Sequence, residues 1–213
     1  MLSMFKKKPQ IHEPVELQRA EALKHPMGTF AVSGEDCDEV SGGSGPFGHS
    51  FNNPIPVNSQ LGTYKYLTKL RSASGRPVLF HRLGSMSSQV TKYSVDAYEV
   101  VDTDGQGWDV IFLDMYHPRR SNKAPTGYTL TPFNPRTGDQ IVGLGVDVFC
   151  PNFPYDLPDA IFAHNGFESV SKLARDVVGV IKHLRPNAHQ MKVDVLKSQL
   201  EAVSVWQPFE PSA

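Results

Sequence analysis

The clearest pattern in the chain is a series of apolar segments, punctuated by polar turn residues, between residues 62 and 117. Four segments in this region are rich in Val, Ile, Tyr, Phe and Trp and are separated by turn residues, as β-strands are. They cover residues 62–71, 76–84, 94–102 and 108–117. Short turns join the first two and the last two, so the pattern predicts two hairpins in series and an antiparallel meander. The last strand contains VIFLDMY, which is apolar on both faces and predicts a central position.

Helical spacing of apolar residues appears later in the chain, after a loop-rich region. Apolar residues recur at intervals of three and four between residues 167 and 186, which predicts a long helix. Residues 191–206 predict a C-terminal helix in the same way, and residues 141–149 predict a further strand. The expected fold is therefore α+β: an antiparallel β-sheet meander with a long helix and a C-terminal helix packed on one face.

Residues 1–60 differ in composition from the rest of the chain. Pro14 and Pro26 bound a short predicted helix, and the residues after it are rich in Gly, Ser, Pro and Asn. This stretch is either a flexible linker or an arm that docks on the domain. Four apolar side chains favour the arm: Phe47, Phe51, Ile55 and Val57. We therefore divide the chain into an N-terminal helix and arm (1–60) and a single α+β domain (61–213).

Composition narrows the class of protein. The 213 residues are 39% hydrophobic and 20% charged, which is typical of a globular chain that buries a core. A formal net charge of −1 argues against binding polyanions through overall charge. Cys37 and Cys150 are too few for a disulfide scaffold and predict thiols in a reducing compartment, with a single bridge left open. Without a secretory signal or a membrane-length apolar run, the expected location is cytoplasmic.

Two of the predicted strands end in the same types of residue. Both VLFHRLGS (78–85) and FLDMYHPRRS (112–121) close an apolar run with a histidine, arginine and serine. Strands 2 and 4 of a meander run in the same direction, so these ends would meet at one edge of the sheet. We therefore predict His81 and His117 as candidate catalytic acid–base residues, since imidazole titrates near neutral pH. The candidate anion ligands are the nearby guanidinium and hydroxyl groups: Arg82, Arg119, Arg120, Ser121 and Tyr116.

A structural role for these residues is nevertheless favoured over a catalytic one. Side chains alternate along a strand, so His81 and Arg82 enter one pocket only if the strand bends. A strand-end histidine is more often a buried, hydrogen-bonded residue, and HPRRS is more often the start of a solvated loop. No metal site or cofactor is predicted, because no Cys or His pair has zinc-ligand spacing and the Gly-rich segments lack the context of phosphate loops.

Charge is unevenly distributed in this nearly neutral chain. No Asp or Glu occurs at 41–95 or 115–138, and both segments carry several Lys and Arg residues. A locally basic surface fits an acidic protein partner or a phosphorylated small molecule; nucleic acid also fits but is not favoured. A structural interpretation is favoured over a binding surface: these segments form an ordinary polar face of the sheet, and the acidic segment GEDCDEV (34–40) folds over it and balances its charge.

Two functions from different classes follow from these observations. The first is a cytoplasmic binding or interaction protein that uses the basic hairpin and the loop HPRRSNK (117–123) for an anionic ligand or acidic partner. The second is an enzyme of the phosphoester hydrolase or transferase type, in which His81 and His117 exchange protons while arginines hold the substrate. The sequence leaves the ligand, the partner and the oligomeric state open.

Overall fold

The structure is a computed structural model that describes only part of the chain. The described residues are 38–131, 144–165, 175, 177–184 and 207–208. The predicted N-terminal and C-terminal helices (13–28 and 191–206) lie outside them. Most of the predicted long helix also lies outside, although residues 177–181 are helical.

The described residues confirm a mixture of helices and strands. In chain order the elements are β1 (Ile55–Pro56), α1 (Ser59–Lys69), β2 (Leu70–Ser72), β3 (Val78–Met86), β4 (Val95–Asp102), β5 (Trp108–Asp114), β6 (Tyr128–Leu130), β7 (Leu144–Val146), α2 (Leu157–Asn165) and β8 (Gln207–Pro208). The main sheet has the order β1–β5–β4–β3–β7, and β8 also pairs with β3. The strands β2 and β6 form a separate two-stranded sheet.

The main sheet is mixed rather than purely antiparallel, which corrects the predicted meander. The strands β3, β4 and β5 pair antiparallel in sequence. At the two sides, however, β1 joins β5 and β7 joins β3 in parallel. All eight residues of β4 are buried because this strand lies in the middle and is covered on both faces.

Residues 62–71 were predicted as the first strand, and this prediction was wrong. Ser59–Lys69 form helix α1, and only Leu70–Ser72 continue as a strand. Thr63, Tyr66 and Leu67 are buried at intervals of three and four, which is the spacing of one helix face. The Tyr and Thr residues suggested a strand by propensity, but packing of this face against the sheet favours the helix.

Helices cover both faces of the main sheet, whereas one covered face was predicted. Helix α1 belongs to the buried cluster that contains Phe80, and α2 belongs to the cluster that contains Leu79. Because neighbouring side chains of a strand point to opposite faces, these two clusters lie on opposite sides of the sheet. Val177 of the helical segment 177–181 joins the cluster of α2.

The described part of the N-terminal arm packs into the core. Val40, Phe47, Ile55 and Val57 are buried, and the strand β1 lies within this region. The sheet therefore begins before residue 61, and the division of the chain at residue 60 stays a prediction. Cys150 is a buried free thiol, and burial raises its pKa to about 12.

Candidate functional site

The structure does not bring His81 and His117 together. The strands β3 and β5 do run in the same direction, because both are antiparallel to β4. However, His81 is in register with Glu99, which is in register with Val110 near the start of β5. His117 follows the other end of β5, which is Asp114. Val110 and Asp114 are separated by about 13 Å along the strand. His81 therefore lies in the middle of its strand, and His117 lies past the C-terminal end of β5.

His81 is a fully buried member of the sheet rather than a solvent-facing imidazole. The backbone N–H of Cys150 donates to its Nδ1 at 3.0 Å, so the ring proton is on Nε2 and is donated to Glu99 Oε2 at 2.8 Å. The rings of Phe149 and Phe153 pack on the imidazole at centroid distances of 5.6 and 4.4 Å. These contacts give His81 and Glu99 a structural role in joining β3, β4 and the chain after β7.

His117 is also buried, in the turn that follows β5. Its Nδ1 lies 3.1 Å from both the backbone nitrogen and the backbone oxygen of Arg119. Burial lowers the pKa of this imidazole below its usual 6.5. Asp114 accepts the backbone N–H groups of Tyr116 and His117 at 3.0 Å each.

Arg82 lies in a second buried polar group, which we call the Arg82 cluster: Arg82, Ser85, Asp96, Tyr98 and Asp147. Its Nη2 donates to Ser85 Oγ at 2.5 Å and to Asp96 Oδ1 at 2.7 Å, and its Nε is 3.9 Å from Asp147 Oδ1. A β-bulge between Arg82 and Gly84 makes this possible. Residues 82 and 85 would otherwise point to opposite faces of β3, and the bulge returns both to the face of Asp96.

The carboxylates of the cluster are held by several donors. Asp147 accepts hydrogen bonds from the Tyr98 hydroxyl and, at 2.6 Å, from the side-chain amide of Gln60 on α1. Burial raises the pKa of Asp96, and the charge and hydrogen bonds of Arg82 and Ser85 offset only part of this effect. Desolvation alone would lower the pKa of Arg82, but Asp96 reverses this and raises it. The cluster is therefore a buried ion pair that joins the sheet to α1.

The remaining predicted residues follow β5, and all of them except Tyr116 lie on a segment that we call the cationic loop (residues 117–123). Its backbone is fixed to the start of the fold: Ser121 N–H donates to Pro56 O at 2.8 Å, and Arg120 forms a β-bridge with Val57. Arg119 is half-buried and Arg120 is exposed. Just before the loop, the ring of Tyr116 packs on Tyr93 with a centroid distance of 5.5 Å.

The cationic loop also contacts the acidic segment of the arm. Ser121 Oγ donates to the backbone oxygen of Asp38 at 2.9 Å and accepts the backbone N–H of Lys123 at 2.9 Å. The Nζ of Lys123 forms an ion pair with Glu39 and lies 4.9 Å from the ring centroid of Phe47. The described end of the acidic segment thus lies on the cationic loop. This contact agrees with the prediction, made from the charge distribution, that the acidic segment folds over a basic surface.

The acidic partners of His81 and Arg82 were not predicted from the sequence. Asp96 and Glu99 are buried carboxylates within β4, whose sequence VDAYEVVD is otherwise apolar up to Asp102 at its end. Carboxylates in such a strand need partners, and aligning it across the hairpin with VLFHRLG places His81 opposite Glu99. This pairing was the signal that could have identified the buried contacts.

The pKa values of two histidines are shifted in opposite directions. His49 Nδ1 is 3.3 Å from Asp109 Oδ2, and the hydrogen bond to this carboxylate raises the pKa of His49, whereas burial lowers that of His117. Stability contributed by His49 is therefore present below pH 6.5 and lost as the pH rises through its folded pKa. For His117 the fold is favoured above pH 6.5 and weakens as the pH falls below that value.

An NMR titration of the imidazole C–H resonances measures both values. We expect a midpoint above 6.5 for His49 and below 6.5 for His117, with assignments from the variants His49→Gln and His117→Gln. Two midpoints at 6.5 would contradict the described contacts of both rings.

Comparisons with models of known protein families, with curated proteins and with solved structures find no match to this chain. Among the described residues, no group of three or more His, Cys, Asp and Glu side chains is placed to hold a metal ion. Within that same part of the chain, every helix is too short or too polar to cross a membrane.

Proposed function

We propose that the protein is a binding protein that holds an acidic segment of a partner protein on its cationic loop. The observation that carries this proposal is the contact that the loop already makes with an acidic segment of its own chain. Ser121 binds the backbone of Asp38, and Lys123 binds the carboxylate of Glu39. One backbone contact and one charge contact are the two elements with which a protein holds an acidic peptide.

The loop carries two more cationic side chains besides Lys123. Arg120 is exposed, Arg119 is half-buried, and no Asp or Glu occurs at 115–138. The Tyr66 hydroxyl donates to Lys123 O at 2.6 Å and adds to the backbone contacts that hold the loop. A loop that is already ordered loses less conformational entropy on binding, which favours affinity.

The acidic segment of the arm then acts as an internal competitor for the loop. The side chains of Lys123 and Glu39 are 44% and 46% exposed, and an ion pair this exposed contributes about 0–1 kcal/mol. A partner with several carboxylates replaces Glu39 at small cost and gains contacts with Arg119 and Arg120. Such binding is steered by charge and weakens as salt is added.

Binding of a fluorescein-labelled oligoglutamate, followed by fluorescence anisotropy, tests this function. The variant Arg119→Gln/Arg120→Gln/Lys123→Gln should weaken binding by about tenfold or more, which is about 1.4 kcal/mol. Glu39→Gln should strengthen binding, because it removes the internal competitor.

A matched control removes the same number of charges elsewhere. Lys65→Gln/Lys69→Gln/Lys182→Gln should bind the peptide as the unmodified protein does. Equal weakening in both triple variants would show attraction by overall charge and would overturn the proposal.

The geometry gives no corresponding support to the enzyme alternative. The two members of an acid–base pair have to face one reacting atom. His81 and His117 lie at different positions along the strand direction of the sheet. A cytoplasmic location is part of our proposal and fits the free thiol of Cys150.

A further inference from the structure

A surface cavity of about 620 Å³ lies away from the cationic loop. Arg76 contributes from the turn between β2 and β3, and Thr103 and Asp104 contribute from the turn between β4 and β5. Arg175 and His183 complete the polar lining. Residues far apart in the sequence thus place two guanidinium groups and an imidazole around one space.

The cationic side chains of this cavity keep hydrogen-bond donors that no described residue uses. The Nε of Arg76 donates to Asp104 Oδ2 at 3.0 Å, which orients the guanidinium plane. No described residue accepts a hydrogen bond from the terminal Nη groups of Arg76, and none pairs with the side chains of Arg175 or His183. By contrast, Arg71 donates to two backbone oxygens at 2.7 and 2.8 Å.

The lining is cationic and rich in donors. Two guanidinium groups and one carboxylate, which is paired with Arg76, give it a formal charge of +1. A phosphate monoester carries about −1.5 to −2 charges at pH 7 and offers three acceptor oxygens, whereas a carboxylate carries one charge. Two guanidinium groups therefore match a phosphate group better than a carboxylate.

The cavity is open to solvent and has room for a ligand larger than an inorganic ion. Its volume lies within the range of about 300–1,000 Å³ that small-molecule sites have. We propose that the cavity binds a small phosphorylated compound, whose phosphate accepts hydrogen bonds from Arg175 and the Nη groups of Arg76. His183 adds a ring N–H donor. This site is independent of the proposed binding of acidic partners on the cationic loop.

The test is an NMR titration of the full chain with sodium phosphate at constant ionic strength, observed at the imidazole resonances of His183. We expect a saturable shift with a dissociation constant in the millimolar range, and about tenfold weaker binding for Arg175→Gln. Arg120→Gln, which removes a charge from the cationic loop, should bind phosphate as the unmodified protein does. The variant His183→Gln assigns the resonance.

Two comparisons decide the chemistry of the ligand. Sodium acetate at the same ionic strength should leave the His183 resonance in place, and glycerol 3-phosphate should shift it. An equal shift with acetate, or a shift by phosphate that persists in Arg175→Gln, would overturn the proposal. A site that binds inorganic phosphate and not the ester is a site for an adventitious ion only, and this result would also overturn it.

Discussion

Replacing Arg82 with Met should lower the free energy of unfolding by about 3–5 kcal/mol, because it removes the cation from a buried ion pair. The side chains of Asp96 and Asp147 are only 1% and 10% exposed, so water does not replace the lost contacts. Asp96 has the shorter contact with Arg82 and its pKa is already raised by burial. Methionine keeps most of the volume of the arginine stem, so the loss measures the charge and its hydrogen bonds.

Urea unfolding of the variant and of a matched control measures this effect in phosphate-free buffer. The control is Arg76→Met, which breaks an ion pair of the same chemistry between side chains that are 58% and 41% exposed. Its expected cost is about 1 kcal/mol or less. Equal losses in the two variants would show that burial of the Arg82 cluster contributes no more than an exposed pair does.

Replacing Gly62 with Ala should lower the free energy of unfolding by at least about 3 kcal/mol, since the new methyl group has no space. A Cβ at this position would lie 1.5 Å from the backbone oxygen of Val57. Neither group is the flexible end of a side chain, so the turn between β1 and α1 has to move. This turn also carries the bridge from Val57 to Arg120, so the cationic loop should be disturbed with it.

A second change in the same turn has the opposite expected sign. Ser59 has φ of 85°, a backbone region that only glycine adopts without strain. Ser59→Gly should therefore raise the free energy of unfolding by about 1 kcal/mol. Both variants are measured by urea unfolding, and destabilisation by both would contradict the described backbone of the turn.

The central strands were predictable because their patterns are local. The predictions for residues 76–84, 94–102 and 108–117 overlap β3, β4 and β5, where buried aliphatic and aromatic residues are concentrated. Helix α1 was not predictable from propensity, since its Tyr and Thr residues favour strands. Its helical spacing became decisive only through packing against the sheet, which is a tertiary effect.

The candidate site was predictable only in part, because its contacts depend on strand register. The clustering of Tyr116, Arg119, Arg120 and Ser121 follows from their adjacency in the sequence. The burial of His81 with Glu99 does not, because it depends on which residues lie opposite each other across the hairpin. The sequence of β3 alone contains a histidine, and only its register with β4 reveals the buried hydrogen bond.

The contact between the acidic arm and the basic loop shows how charge patterning can predict a long-range interaction. The acidic segment at 34–40 and the acid-free stretch at 115–138 suggested that one folds over the other. Asp38 and Glu39 do contact Ser121 and Lys123. The rest of the acidic segment lies outside the described residues.

A chemical-shift map of the backbone amides during titration with oligoglutamate tests most directly whether the cationic loop is the binding surface. We predict that the shifts concentrate at residues 119–123 and at Asp38 and Glu39, since the peptide displaces the internal contact. Shifts that are confined to other surfaces, with the amides of 119–123 unchanged, would contradict the proposed function.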